Sequence, residues 1–263
     1  MSEGEQPEEK SFWAHLDDLR STLFKIAGTL LVFFVGFLAF MPYIFDHIVL
    51  APCHSDFFLY KYLTKFSEAF PLVSQFSSPE FHIDIINTKL TSQFFTHLST
   101  SLWFSLVFAF PVILYFLWQF ISPALYKNEK HGAVMAFGFG SIMFYIGVCV
   151  GYFIVFPITI RFLYEYELSG AITNMLALDS YMSNFLMLNL VMGIVFELPL
   201  LSWVLSQIGL LHRSFFKRYR KHSIVALMVL TAIITPTGDP FTLFVVFLPI
   251  YCLYEGSAFL VKK

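Results

Sequence analysis

The stretch "NLVMGIVFELPLLSW", residues Asn189–Trp203, has the composition of a membrane-spanning helix except for one carboxylate, Glu197. A charged side chain in hydrocarbon costs roughly 3 kcal/mol on insertion scales, so it persists only where neighbouring groups compensate. Asn189, Gly193 and Glu197 follow at intervals of four residues and therefore share one helix face. Two interpretations stay open: a structural carboxylate that holds helices together, or the polar wall of a groove for a substrate or a partner helix.

The composition of the whole chain is that of an integral membrane protein. Of the 263 residues, 57% are hydrophobic and only 13% are charged, against about 25% charged residues in soluble domains. The net charge of −2 indicates no nucleic-acid partner. Three cysteines lie far apart, and the sequence contains no metal-ligand spacing, nucleophile motif or phosphate loop. We therefore expect no metal, no cofactor and no catalytic residues.

Six apolar segments are predicted to cross the membrane, because about 20 helical residues cover 30 Å of hydrocarbon. They run approximately over residues 21–40, 98–120, 134–156, 185–205, 223–234 and 241–261. The predicted fold class is therefore all-α, with one membrane domain over residues 1–263 and a cytoplasmic leader over residues 1–20. The last two spans are short, since the fifth reaches only about 18 Å. The leader lacks a cleavable signal pattern, so the first span is expected to be retained.

The distribution of Lys and Arg predicts that both termini are cytoplasmic, because these residues gather in cytoplasmic loops. With six spans and the N-terminus inside, all Lys and Arg residues fall on the cytoplasmic side except Lys61, Lys65, Lys89 and Arg161, which fall in two outer loops. The first outer loop, about residues 42–97, is long and contains the aromatic stretch "FFLYKYLTKF". We expect short helices at the outer interface there.

Acidic residues stand beside the predicted spans at the cytoplasmic surface. "FWAHLDDLR", residues Phe12–Arg20, predicts an amphipathic interfacial helix with Asp18 near its middle and Arg20 at the membrane edge. In "SPALYKNEKHG", residues 122–132, Glu129 falls in the first turn of the third helix, where the macrodipole favours a carboxylate. A solvated leader and a helix-start carboxylate are the simpler interpretations. The alternative is that Asp18 and Glu129 together receive a cationic ligand.

A further carboxylate, Glu255 in "YCLYEGSAF", lies inside the last predicted span. It either pairs with an Arg or Lys near the inner interface or lines the same groove as Glu197. If Glu197 and Glu255 served as relay carboxylates, the chain would be a proton-coupled secondary transporter for small molecules. This function is the alternative to a receptor without catalytic activity.

With these motifs the chain resembles the TatC family, the multi-span subunit of the twin-arginine (Sec-independent) protein translocase. The leader is similar to that family's F-x-x-H-L-x-E-L-R pattern. Four further stretches resemble later family motifs in the same order: "FPVILYFLWQFISPALYKNEK", "FYIGVCVGYFIVFP", "FELP", and "TPTGDP" followed by "PIYCLYE". The resemblance implies a cup-shaped bundle in a prokaryotic inner membrane. It also implies a receptor for signal peptides with paired arginines, whose folded cargo is moved by the proton-motive force.

Carried over residue by residue, the resemblance implies a signal-peptide site made of Glu129 and Asp18 with His15, Arg20, Leu125 and Tyr126. It places Glu197 on the concave side and puts Pro52 and Phe94 at outer-loop positions that matter in the family. The implied partners are twin-arginine signal peptides, single-span subunits of the TatA and TatB type, further copies of the chain and the lipid bilayer. Two departures stand out: Asp18 occupies a position where the family usually has Glu, and "TPTGDP" replaces the more frequent TPPDP.

Overall fold

The computed structural model describes residues 12–61, 83–121, 127–166, 168–169, 174–207, 209, 211–235 and 238–261, with backbone alone at residues 12, 14, 15, 121 and 127–136. The helices are α1 (Phe12–Ile44), α2 (Ser92–Ile121), α3 (Lys127–Val150), α4 (Phe156–Glu165), α5 (Leu178–Val195), α6 (Leu198–Gln207), α7 (Arg213–Ile234) and α8 (Pro240–Leu260). Two short strands, β1 (Ile85–Ile86) and β2 (Leu176–Ala177), pair in parallel.

Five described helical segments are long and apolar enough to cross a membrane: Leu16–Cys53, Ser92–Phe120, Phe137–Glu165, Leu178–Gln207 and Pro240–Leu260. A π-helical turn, Gly151–Val155, joins α3 to α4 within one segment. Helix α7, which contains the predicted fifth span, is not among these segments, because its first half is basic and its apolar half begins only at Ser223. The predicted all-α membrane fold is confirmed.

Residues Phe12–Arg20 of the leader, predicted to form an interfacial helix, belong to α1 and continue into the first span without a break. Helix α1 has 33 residues and is therefore about 50 Å long, well beyond the 30 Å of hydrocarbon. No Gly or Pro occurs between Phe12 and Ala27 to interrupt it. The first turns of α1 consequently carry Trp13 and Leu16 as exposed side chains.

Helices α1 and α2 run antiparallel. His97 Nε2, near the start of α2, lies 2.9 Å from the carbonyl oxygen of Leu38, near the end of α1. The ring of Phe37 packs on Phe104 and Phe108, with centroid distances of 5.7 and 5.0 Å. The connection over residues 122–126 is short, which favours an antiparallel neighbour in α3. The starts of α1 and α3 therefore lie at the same end of the molecule.

The core at the opposite, outer end is aromatic. Phe156 makes edge-to-face contacts with Tyr181 and Phe185, each with a centroid distance of 5.2 Å. Buried or half-buried tyrosine hydroxyls donate to backbone carbonyls of the segment after α1: those of Tyr60, Tyr152 and Tyr181 bond to Pro52, Ile48 and Val49. These bonds hold that segment on the outer end of the bundle.

The turn between α7 and α8 explains the unusual "TPTGDP" sequence. Gly238 has a φ of +60°, a left-handed conformation that glycine adopts at little cost. Asp239 then caps α8, because its carboxylate accepts a hydrogen bond of 2.7 Å from the Thr242 N–H. Pro240 occupies the first helical position, where its fixed φ suits a helix start.

Candidate functional site

The candidate residues of the two acidic motifs lie near the starts of α1 and α3. Asp18 and Arg20 are both exposed, and the Arg20 guanidinium lies 5.6 Å from the centroid of the Phe24 ring. Glu129 is the third residue of α3, so its predicted position in a first helical turn is confirmed. His15 belongs to α1, whereas Leu125 and Tyr126 lie outside the described residues.

Asp18 and Glu129 belong to the same end of the bundle, because α1 and α3 both start there. Asp18 occupies the second turn of α1, and Thr22 Oγ1 donates to its carbonyl oxygen over 2.9 Å. The structure describes the backbone of both residues and the side chain of Asp18, but not the side chain of Glu129. The positive end of the α3 macrodipole points to the same region.

Glu197 lies at a break in the fourth span, between the end of α5 and the start of α6. The Phe196 N–H still donates to Met192 O, but the Glu197 N–H bonds three residues back to Ile194 O, each over 3.0 Å. Pro199 has no N–H, so the regular helical bond to residue 195 is missing. The "FELP" motif thus produces a bend with a carboxylate at its vertex.

The Glu197 side chain packs on bare backbone of α3. A Cβ atom added to Gly140 would lie 2.9 Å from Glu197 Oε2 and 2.5 Å from Leu200 Cδ2. Glu197 is half-buried, and its Oε1 atom is buried without a hydrogen-bond partner among the described residues. Buried polar atoms are nearly always bonded. This oxygen is therefore suited to accept a hydrogen bond from a group outside the chain.

The structure corrects the predicted role of Asn189 and Gly193, which do not line an open groove. Asn189 is fully buried and donates from Nδ2 to Phe185 O over 2.7 Å. Gly193 is buried against the Phe144 ring, where a Cβ atom would approach to 2.7 Å. Both residues hold α5 against α3, so the structural interpretation applies to them. Of the three residues in the stripe, only Glu197 remains a candidate for contact with a substrate or a partner helix.

The sequence analysis missed the glycines on the facing helix. Gly140, Gly147 and Gly151 are separated by seven and four residues, which places them on one face. A Cβ atom at Gly147 would lie 2.5 Å from the backbone oxygen of Met192. The spacing was a usable signal for a close helix contact, but it did not reveal that Glu197 was the residue opposite Gly140.

Glu255 does not line the groove with Glu197. Its carboxylate forms a two-pronged pair with Arg220 of α7, whose Nε and Nη2 donate over 2.6 and 2.5 Å. Tyr251 also donates to Glu255 Oε1, over 2.9 Å. The carboxylate beside it raises the pKa of the Arg220 guanidinium. Of the two interpretations of Glu255, the pair with an Arg is the one that the structure shows, and nothing supports the transporter alternative.

At the outer end, Pro52 is buried and accepts the Tyr60 bond, whereas Phe94 is exposed and stacks edge-to-face on Phe95. Arg161, counted in the sequence as an outer-loop charge, is instead a helical residue that is only 1% exposed. Its Nε donates to Glu165 Oε1 over 2.9 Å, and its guanidinium lies 5.0 Å from the Tyr60 ring centroid. A buried ion pair therefore supports the segment that contains Pro52.

The chain matches a known protein family over most of its length. Residues 14–249 match the family described as "TatC: Sec-independent protein translocase protein (TatC)". The Sec-independent protein translocase protein TatC of Blattabacterium sp. subsp. Periplaneta americana is 32% identical over 256 residues, covering 96% of this chain and 95% of the relative. The protein of that name from Escherichia coli K12 is 31% identical over 245 residues, or 93% and 85% of the two chains.

Solved structures agree with the sequence relatives. A crystal structure of the twin arginine translocase receptor TatC in DDM superposes with a TM-score of 0.74 at 30% identity, covering 95% of this chain and 100% of the other. A second crystal structure of that receptor gives a TM-score of 0.71, also at 30% identity, and covers 94% and 97% of the two chains.

Proposed function

The chain belongs to the TatC family and is a core subunit of the twin-arginine translocase, and on that basis we propose that Asp18 and Glu129 bind the paired arginines of export signal peptides. It is a multi-pass inner-membrane protein with a cup-shaped bundle of helices. The observation that carries the proposal is that both acidic motifs start helices at one end of the bundle. The charge distribution supports a cytoplasmic location for that end and for both termini.

The chemistry of the two carboxylates suits arginine better than lysine. A guanidinium presents a rigid fork that matches a carboxylate with two parallel hydrogen bonds, whereas an ammonium is a point charge. Each charge-assisted hydrogen bond contributes about 1.5–3 kcal/mol. The loss of one pair therefore costs roughly tenfold or more in affinity. His15, Arg20, Leu125 and Tyr126 complete the proposed site around the two carboxylates.

Glu197 is the proposed meeting point for an inserted segment or a partner helix. Gly140, which it contacts, lies six residues past the start of the predicted third span, or about 9 Å along the helix. An apolar signal segment that enters from the cytoplasmic end would reach this depth. A polar group of that segment, or of a single-span TatA- or TatB-type subunit, would supply the hydrogen bond that Glu197 Oε1 lacks.

We also propose how the chain assembles with other subunits and which energy source drives transport. Phe94 would contact partner subunits or further copies of the chain at the outer face, where its exposed ring offers an apolar surface. The buried Pro52, whose carbonyl oxygen accepts the Tyr60 hydrogen bond, would support that face from within. The chain itself performs no catalytic step in this proposal. The proton-motive force acts on the assembled complex and drives the transport of folded proteins.

Binding measurements with the purified full-length chain test the receptor proposal. A fluorescent signal peptide with Arg-Arg is compared with its Lys-Lys twin by anisotropy. We expect wild-type binding to favour Arg-Arg by about tenfold or more, and Asp18→Asn and Glu129→Gln each to remove most of that preference. Asp17→Asn, at the exposed neighbouring position on α1, is the matched control. If both variants kept the wild-type preference, the two residues would not be the receptor carboxylates.

A further inference from the structure

We propose that the first turns of α7 bind the phosphate headgroups of anionic phospholipids through Lys217, Arg218 and Lys221. These three residues are called the basic face of α7 below. The proposal concerns a lipid site and does not depend on where signal peptides bind. Three observations support it: these cations form no ion pair among the described residues, they precede lipid-facing residues on the same helix, and the apolar part of α7 is short.

The basic segment "HRSFFKRYRKH", residues 212–222, contains cations that contact α8 and the cations of the basic face of α7, which are called available below. Arg220 is engaged by Glu255, and the Arg213 guanidinium lies 5.4 Å from the Phe259 ring centroid of α8. The basic face of α7 is exposed, and none of the ion pairs formed among the described residues includes it. Three cations that lie within five residues of one another and have no ion-pair partner in the described part of the chain form a strong site for phosphate groups.

The basic face of α7 continues directly into a lipid-facing stripe. Lys217, Lys221, Val225, Val229 and Ile233 follow each other at intervals of four residues. Each therefore lies about one turn beyond the last and about 40° further round the helix, so the five side chains form a winding stripe in which neighbouring members are adjacent. Val225, Val229 and Ile233 are 60%, 53% and 74% exposed. Apolar side chains with such exposure in a membrane helix face lipid tails. The cations at the head of the stripe therefore meet the headgroups of the same lipids.

The shortness of α7 brings the headgroups to these cations. Its apolar part, from Ser223 to Ile234, is about 18 Å long, so the bilayer beside it must thin. Lys and Arg side chains extend along apolar surface and keep their charges at the headgroup level. The exposed rings of Phe215 and Tyr219 lie beside the basic face, with the Arg218 guanidinium 5.7 Å from the Tyr219 centroid. Aromatic rings concentrate at this depth in membranes.

Native mass spectrometry of the full-length chain in neutral detergent tests the proposal by comparing bound phosphatidylglycerol with phosphatidylcholine of the same acyl chains. Each available cation strengthens binding to an anionic surface roughly fivefold. We expect a preference for phosphatidylglycerol of about tenfold or more, which falls at least fivefold in the Lys217→Gln/Lys221→Gln variant. Lys25→Gln, a change at an exposed position near the same end of α1, is expected to keep the preference.

Two wild-type measurements make the test independent of whether the double variant folds. Raising NaCl from about 0.1 to 1 M shortens the screening length roughly threefold, so the preference is expected to fall several-fold. Soluble glycerol phosphate at the same concentration is expected not to displace the lipid, because it lacks the tails that the apolar stripe contacts. Equal binding of the two lipids, an unchanged preference in a folded double variant or at high salt, an equal loss in Lys25→Gln, or displacement by glycerol phosphate would each overturn the proposal.

Discussion

At the scale of single residues, Glu197 keeps its position because Gly140 has no side chain. The carboxylate rests on the backbone of α3, and its Oε2 atom lies 2.9 Å from the place where a Cβ atom would be. That distance is too short for ordinary packing. The geometry at the bend of the fourth span thus depends on a glycine in a different helix.

We predict that Gly140→Ala displaces the Glu197 carboxylate and lowers export of twin-arginine substrates several-fold without preventing membrane insertion. The added methyl group also meets Leu200 Cδ2 at 2.5 Å, and overpacking of this kind costs about 1–3 kcal/mol. Gly138→Ala is the matched control, because nothing lies within 4 Å of a Cβ atom there. The measurement is the export of twin-arginine substrates by each variant, which we expect to fall in Gly140→Ala and to stay unchanged in Gly138→Ala. Equal export by the two variants would show that the contact between Gly140 and Glu197 has no functional weight.

A second residue-scale prediction concerns the cost of the unpaired carboxylate oxygen. Glu197→Leu removes a buried acceptor that has no hydrogen-bond partner among the described residues, and such an acceptor costs about 1–3 kcal/mol. We expect the purified variant to unfold at a Tm higher by several degrees while its export activity falls. Thermal unfolding in detergent measures the first effect. A lower Tm would mean that Glu197 stabilises the bundle and is a structural carboxylate after all.

At the scale of helices, an ion pair among the described residues joins the first half of α7 to the second half of α8. Arg220 of α7 and Glu255 of α8 are 35 residues apart in sequence, yet the guanidinium and the carboxylate meet through two hydrogen bonds. Tyr254 adds a hydroxyl bond of 3.4 Å to Phe216 O. Since α7 is too short to anchor itself firmly in the bilayer, this pair fixes its position against α8.

We predict that Arg220→Gln and Glu255→Gln each destabilise the hairpin of α7 and α8 and that the double variant is less unstable than the sum of the two. The reason is that either single change leaves one charge without its partner. Protease accessibility of the turn near Gly238 provides the measurement. Lys25→Gln, which removes an exposed charge on α1, outside the hairpin, is the control. Strictly additive effects would contradict a direct pairing.

Sequence reasoning succeeded for individual helices and was weaker for contacts between them. The pairing of Glu255 with an Arg or Lys was one of two open interpretations. The sequence did not show which of the several cations on α7 would form the pair. The packing of α8 against α7 brings Arg220 to the carboxylate. The leader motif was correctly identified as helical, yet its continuity with the first span was missed because amphipathicity at a helix end does not show where the helix stops.

At the scale of the whole molecule, hydropathy predicted the membrane class and five of the six expected spans as long apolar helices, because a helix satisfies its own backbone hydrogen bonds in hydrocarbon. The stripe of Asn189, Gly193 and Glu197 was less predictable. Helical periodicity places the three residues on one face but does not say whether that face meets lipid, water or another helix. The glycines of α3 decide this, since they let α5 approach closely enough to bury Asn189 and Gly193.

The central claim is that two carboxylates at the start of α1 and α3 select paired arginines. Photo-crosslinking in membranes from a probe at position 128, which leaves the Glu129 carboxylate in place, to a signal peptide with Arg-Arg and to its Lys-Lys twin tests it most directly. We predict adducts with the Arg-Arg peptide, and few with the Lys-Lys peptide, because only guanidinium forms the two-pronged pair. Equal labelling by both peptides, or none from a correctly inserted protein, would mean that Glu129 is only a helix-start carboxylate.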